Sequence, residues 1–166
     1  AALITANNVF AHSDHLADMA KGVAGLLAPD GVFIFEVSYL VDLMEQMVFD
    51  SVYHEHLSYH SVKPLVSFLR LHTLELIDAE RVATKGGSLR VTAQKAGGPR
   101  AVTAAVAELL ALEEKMGLGK AETFRAFAAT IDAAKSRLLA LLKDLRAQGK
   151  TIAGYGASPT TTTLTY

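Results

Sequence analysis

No cysteine occurs among the 166 residues. Disulfides, thiolate metal sites and a cysteine nucleophile are therefore excluded. The absence is compatible with a cytoplasmic protein, which is the expectation carried forward. No apolar run approaches the roughly 18 residues of a membrane span. No basic stretch followed by an apolar one marks a signal peptide. Neither sign of charge dominates: 16 Lys and Arg face 17 Asp and Glu, for a net charge of -1. That balance gives no electrostatic case for nucleic acid or an anionic membrane as partner. Internal repeats are also missing. What is present is apolar: 51% hydrophobic against 20% charged residues, which excludes a disordered chain. A chain of 166 residues is about one domain at roughly 150 residues each, long enough to bury a core.

The pattern alternates strand and helix. Residues 1–5 read as a buried strand and residues 7–14 as a polar loop. Ser13 or Asp14 is placed to cap a helix ending near Leu27. Ala28-Pro29-Asp30-Gly31 is a turn signal. Residues 32–37 are continuously apolar up to Glu36, as a strand of a sheet covered on both faces requires. Ser61 is placed to cap a helix over 62–71, with Pro64 in its first turn. Strands follow over 73–82 and 88–93, joined through Gly86-Gly87 and expected to be antiparallel neighbours. This is half of a doubly wound α/β sheet with a hairpin closing one edge. Ligands of such sheets bind at the carboxyl ends of the strands, which here means the loop at 7–14 and the loop after Val37.

Ala96-Gly97-Gly98-Pro99 reads as a boundary, after which the chain becomes alanine-rich and helical. Val102, Val106, Leu109 and Leu110 mark one helix over 100–116. Phe124, Phe127, Ile131, Ala134, Leu138, Leu141 and Leu145 alternate spacings of three and four along a second, longer one. Gly117-Leu118-Gly119 makes the two a helical hairpin. Residues 151–153 read as a new strand before Gly154-Tyr155-Gly156-Ala157-Ser158. Both ends of the chain lie in apolar elements, so it reads as an internal piece of a longer protein.

Five of the six histidines fall in two loops: His12 and His15, then His54, His56 and His60. Three readings remain open. His12 with His15, or His56 with His60, could share a helical face and bind zinc, but the H-E-x-x-H pattern is missing. Any of them, His72 above all, could be an ordinary surface or core residue. The third reading is acid/base chemistry, because histidine takes and returns a proton near neutrality. Tyr53, Glu55 and His56 supply a hydroxyl, a carboxylate and an imidazole within four residues. An extended loop puts Tyr53 and Glu55 on one side and His54 and His56 on the other, so a turn or a substrate must bring them together.

Asn8-Val9-Phe10-Ala11-His12 and Leu27-Ala28-Pro29-Asp30-Gly31-Val32-Phe33-Ile34-Phe35-Glu36 resemble the second half of a class I S-adenosylmethionine-dependent methyltransferase. Tyr53-His54-Glu55-His56-Leu57-Ser58-Tyr59 and Gly86-Gly87-Ser88-Leu89-Arg90 narrow the resemblance to the sugar C-methyltransferases of nucleotide-linked keto-deoxysugars. It implies an α/β fold: residues 1–97 as the second half of the methyltransferase domain, 98–149 as a helical hairpin, and 150–166 as the start of a C-terminal Rossmann-like domain. It also implies a mechanism, in which a base removes the proton beside a 4-keto group and the enolate carbon is methylated.

The family motif maps the base to His56, with Glu55 and Tyr53 as neighbours and His12 near the sugar. Asn7 and Asn8 would lie beside S-adenosylmethionine. Gly154, Tyr155, Gly156 and Ser158 would meet the diphosphate of the nucleotide sugar, since their loop is read as opening a helix. Members of the family carry an N-terminal zinc module with clustered cysteines, a glycine-rich cofactor loop and an acidic ribose-binding residue. These belong upstream of Ala1, so the chain alone is expected to be inactive and to bind no metal itself. Lys85 stands where relatives often carry histidine. The alternatives are a methyltransferase for a non-sugar acceptor and a non-catalytic interaction module or remnant. Self-association is expected through an exposed sheet edge or the helical hairpin.

Overall fold

The structure is a computed structural model and describes residues 1–165. Tyr166, the last residue of the expected C-terminal segment, lies outside them. The chain divides into two compact units: Ala1–Val48 with His54–Met116, and Phe49–Tyr53 with Gly117–Tyr166.

The first unit is built on a four-stranded sheet. Its strands are β1 (Leu3–Asn7), β2 (Val32–Ser38), β3 (Leu74–Val82) and β4 (Ser88–Lys95), in the order β1-β2-β4-β3. β1 and β2 are parallel, with Leu3 opposite Val32 and Asn7 opposite Glu36. β3 and β4 form the antiparallel hairpin at one edge, and β4 also pairs with β2. Four helices belong to this unit: α1 (Leu16–Leu26), α2 (Leu40–Glu45), α3 (Val62–Leu71) and α4 (Ala104–Met116). The α/β class and the hairpin read from sequence are both present.

One sheet face carries Phe33, Phe35 and Val37 of β2 beside Leu89, Val91 and Ala93 of β4, all buried. Against it sits Phe10, in a short 3₁₀ turn (Phe10–His12) directly after β1. Its fully buried ring stacks on Phe35 at 4.8 Å and lies 6.2 Å from both Phe33 and Phe68. The loop after β1 is thus tied to the core by an aromatic ring that offers a large area for burial. The opposite face is polar. There Thr84 and Arg90 bond the Glu36 carboxylate, at 2.5 Å from Thr84 Oγ1 and 3.1 Å from Arg90 Nη2. The Thr84 hydroxyl, and then Arg90, hold the Glu36 carboxyl below the usual range against the opposing effect of burial.

Gly87 shows why the hairpin turn carries two glycines. Its φ is +113°, and a Cβ there would lie 2.2 Å from Cβ of Asp42. The close approach lets Tyr39 N–H reach the Gly87 carbonyl and seats α2 against the start of β4. Asp42 in turn pairs with Arg81, which also holds Glu45 at 2.6 Å.

Two helix starts differ from expectation. At α1, neither Ser13 nor Asp14 caps the helix. His15 occupies the cap position, and Ser13 Oγ accepts the His15 N–H instead. At α3, Ser61 is the cap residue but makes no side-chain cap bond. Those backbone donors are taken by Glu113 of α4: Val62 N–H at 2.5 Å and Lys63 N–H at 3.0 Å.

The Gly97-Gly98-Pro99 turn, read above as a boundary, lies inside the first unit. Gln94, fully buried, accepts the Arg100 N–H and donates to the Arg100 carbonyl. Thr103 N–H donates to the Ile77 carbonyl at 2.8 Å. These bonds carry the chain back onto the sheet, and α4 packs on β3 and α3. The first of the two expected hairpin helices is therefore a layer of the sheet unit.

The second unit holds α5 (Ala121–Ala147) and the short α6 (Thr160–Thr165). The apolar stripe of α5 is where the spacing places it, but no α5 residue is buried. Gly149, at φ +73°, follows the helix end as expected. α6 packs on the short turn Phe49–Ser51, and Thr163 Oγ1 donates to the Val52 carbonyl at 2.6 Å. The strand expected at 151–153 is not formed. A strand exists only through its ladder, and among the described residues this segment pairs with none. No helix among them is long and apolar enough to cross a membrane.

Replacing Phe10 by Ala should lower unfolding free energy by about 3–5 kcal/mol, read by urea denaturation. A second prediction concerns His60, which burial pushes down to about 4 from 6.5. The unfolded chain binds this proton below about 6.5 and the folded chain only below about 4. His60 therefore contributes fully above the upper value, progressively less through the window, and levels off below it. The wild-type stability should fall by about 3 kcal/mol across that window relative to His60→Leu, measured by urea titrations at each pH.

Candidate functional site

The site gathers at the carboxyl ends of the parallel strands β1 and β2. β1 ends at Asn7, and Asn8 follows in the left-handed region at φ +54°, which Asn tolerates better than most residues. Its N–H donates to the Glu36 carbonyl at 2.9 Å. This kink sends the chain into the Phe10–His12 turn and leaves His12 exposed at the end of that turn.

The second component arrives from residues 54–60. Two backbone contacts hold this segment within the sheet unit. Leu57 N–H donates to the Ala11 carbonyl at 2.9 Å, and Leu40 N–H donates to the His60 carbonyl at 3.0 Å. His60 also bridges Tyr39 in parallel register. The first contact lies one residue from both His12 and His56. Their rings meet edge to face, with centroids 4.9 Å apart and planes at 64°. The Tyr59 ring stands edge-on to His56 at 6.2 Å. His56 is half-buried, while His12 is exposed. Two imidazoles 44 positions apart in sequence are thus side by side at the expected crevice.

The remaining candidates distribute unevenly. Residues 53–55 form a turn, and Glu55 lies 4.0 Å from the His54 ring on an exposed surface. Tyr53 is half-buried and belongs to the second unit. Asn7 is exposed at the strand end and Asn8 is half-buried. Gly154, Tyr155, Gly156 and Ser158 are all exposed, ahead of α6, with Gly156 at φ +106°. Ser158 Oγ lies 2.8 Å from Thr160 Oγ1.

His60 has a different part from the other histidines. It is buried, with Ser58 Oγ 3.1 Å from its Nε2 and its ring 5.9 Å from Phe10. It is a core residue holding the end of the loop. His15 and His54 are exposed, His15 beside Asp14 at 3.4 Å. No group of three or more histidine or acidic side chains placed to hold a metal ion occurs among the described residues.

Sequence reasoning missed Tyr59 and Glu113. Tyr59 adjoins the motif, but nothing in its spacing pairs it with His56. Glu113 left a signal: it sits seven residues after Val106, on the apolar stripe of α4, where a carboxylate has no reason to be unless it is bonded.

Comparison with known proteins agrees with the segments that carry the resemblance. Residues 83–166 match the family model of the C-methyltransferase C-terminal domain. Over 157 residues, 95% of this chain, the sequence is 39% identical to C-methyltransferase NovU of Streptomyces niveus. The chain spans 37% of the length of that relative. It belongs to the C-methyltransferase family.

Proposed function

We propose that this chain is the base-bearing part of an S-adenosylmethionine-dependent C-methyltransferase. Its acceptor is the carbon beside a keto group in a nucleotide-linked deoxysugar. The observation that carries the reading is the His12–His56 pair, at 4.9 Å between ring centroids, at the carboxyl ends of β1 and β2.

Methylation at carbon needs a carbon nucleophile, and a proton beside a keto group is acidic enough for an imidazole to remove. His56 takes that proton, being the half-buried member of the pair and flanked by the Tyr59 ring. His12, exposed beside it, hydrogen-bonds the sugar. Glu55 and Tyr53 adjoin the base in sequence. A hydroxyl such as that of Tyr53 is suited to hydrogen-bond the enolate oxygen.

The residues present fit part of the cofactor's needs. Asn7 and Asn8 offer amide donors and acceptors at the strand ends, where open α/β sheets bind ligands. They would hold S-adenosylmethionine, which when bound supplies an electrophilic methyl group on a sulfonium centre. The exposed loop of Gly154, Tyr155, Gly156 and Ser158 is assigned to the diphosphate of the sugar nucleotide.

The test uses the full-length protein, a nucleoside diphosphate keto-deoxysugar and labelled S-adenosylmethionine. His56→Ala should lower turnover at least about 100-fold. It should also abolish deuterium uptake at the carbon beside the keto group when the sugar alone is incubated in D₂O. Unchanged turnover in this variant would remove His56 as the base. Methylation of another keto compound, with none of the sugar nucleotide, would keep the chemistry and overturn the acceptor class.

A further inference from the structure

Within the sheet unit, the loop that carries His56 is held at its downstream end. Leu57 is bonded to Ala11, and His60 to Leu40. The second of these contacts belongs to the bridge between Tyr39 and His60. Both sides of that bridge converge on one side chain. On one side the Tyr39 hydroxyl donates to Glu113 Oε1 at 2.9 Å. On the other, the residues just past His60 and Ser61 donate their backbone N–H groups, Val62 to Oε1 at 2.5 Å and Lys63 to Oε2 at 3.0 Å. Glu113 is 2% exposed and Tyr39 fully buried.

We propose that Glu113 is a positioning residue for the reaction. Its buried carboxylate grips Tyr39 on one side of the Tyr39–His60 bridge and the backbone of Val62 and Lys63, just past His60, on the other, and thereby holds the loop that sets His56 against His12. The inference rests on the reading of His56 as the base.

Several features argue for this role over that of an ordinary helix contact. A serine already occupies the cap position of α3, yet its side chain makes no cap bond. The capping acceptor comes instead from 50 residues away and ties in a tyrosine from a third element. Both backbone donors sit at the positive end of the α3 dipole, so a carboxylate there is favoured over a neutral acceptor. An amide cannot replace it, because one of its two polar atoms is a donor and would face an N–H. His60 lies only four positions beyond His56, so loosening the bridge frees the imidazole to drift. A displacement of about 1 Å at a reacting group can cost about 100-fold in rate.

The test compares Glu113→Gln with Val106→Ala in the full-length protein. Val106 is a buried residue on the same helix, outside the carboxylate network. Hydrogen exchange is followed by mass spectrometry on a peptide covering 54–60, and kcat and KM are measured separately. Glu113→Gln should raise exchange of that peptide at least about tenfold. It should lower kcat about 10- to 100-fold, with KM changed much less. Val106→Ala should lower Tm while leaving loop exchange and kcat at wild-type values.

Tyr39→Phe removes one donor and leaves the two backbone bonds. It should raise exchange of the same peptide by a smaller factor, and it decides the matter if Glu113→Gln does not fold. Unchanged exchange in the carboxylate and tyrosine variants would overturn the proposal, as would an equal rise in Val106→Ala. Raised exchange with unchanged kcat also overturns it where His56→Ala abolishes turnover. If His56→Ala is itself silent, the assignment of the base has failed, and exchange alone decides for Glu113.

Discussion

A buried carboxylate is among the costliest groups a small domain can carry, and the sheet unit places one where three elements meet. Glu113 of α4 accepts from the first two free N–H groups of α3 and from the Tyr39 hydroxyl just before α2. Removing one partner from such a network typically costs about 3–5 kcal/mol, because the charge is left behind without compensation. The Tyr39 hydroxyl pKa is raised, first by burial and then by the adjacent Glu113 charge, so it remains a donor at all ordinary pH. The order of α4 on α3 and β3 follows from satisfying this group, as does the approach of residues 60–63 to the start of α2.

Around that point the rest of the unit is conventional packing with polar edges. The aromatic cluster of Phe10, Phe33 and Phe35 fixes the turn after β1. Dispersion and area burial hold it, and neither is directional. Direction comes from the hydrogen bonds at its rim: Asn8 to Glu36, Leu57 to Ala11 and Leu40 to His60. Those three bonds hold the chain on either side of the loops that carry His12 and His56, whose rings meet at 4.9 Å. A rigid scaffold presenting chemistry on short, tethered loops is the usual division of labour in α/β sheets.

The second unit follows a different logic. α5 is long enough to persist as a helix, yet it buries none of its residues, and Phe124, Leu138, Leu139 and Leu141 remain exposed. Local propensity and the i, i+3, i+4 pattern are sufficient to define its extent, from Ala121 to Ala147. They are not sufficient to define what its stripe packs on. The residues at 151–153 show the converse case. Their β propensity is real, but a strand is a paired object, and propensity without a partner leaves extended chain.

Much of this was legible in the sequence, because periodicity reports local structure directly. The continuous apolar run at 32–37, the hairpin through Gly86-Gly87, the Phe124-to-Leu145 stripe and the family motif around Tyr53-His54-Glu55-His56 needed no tertiary information. The partition of the chain did. Gly97-Gly98-Pro99 has the composition of a linker, but Gln94 and Thr103 bond across it to the sheet, and hydrogen bonds between distant residues leave no periodic trace. The same limit applies to the histidines. Six identical side chains carry identical local chemistry, and only the fold decides that His60 is buried and neutral, that His54 is exposed, and that His12 and His56 touch. Serine was the obvious cap for α3 by local rules. A glutamate 52 residues further on took the place, because a buried charge needs more donors than one turn of helix leaves to chance.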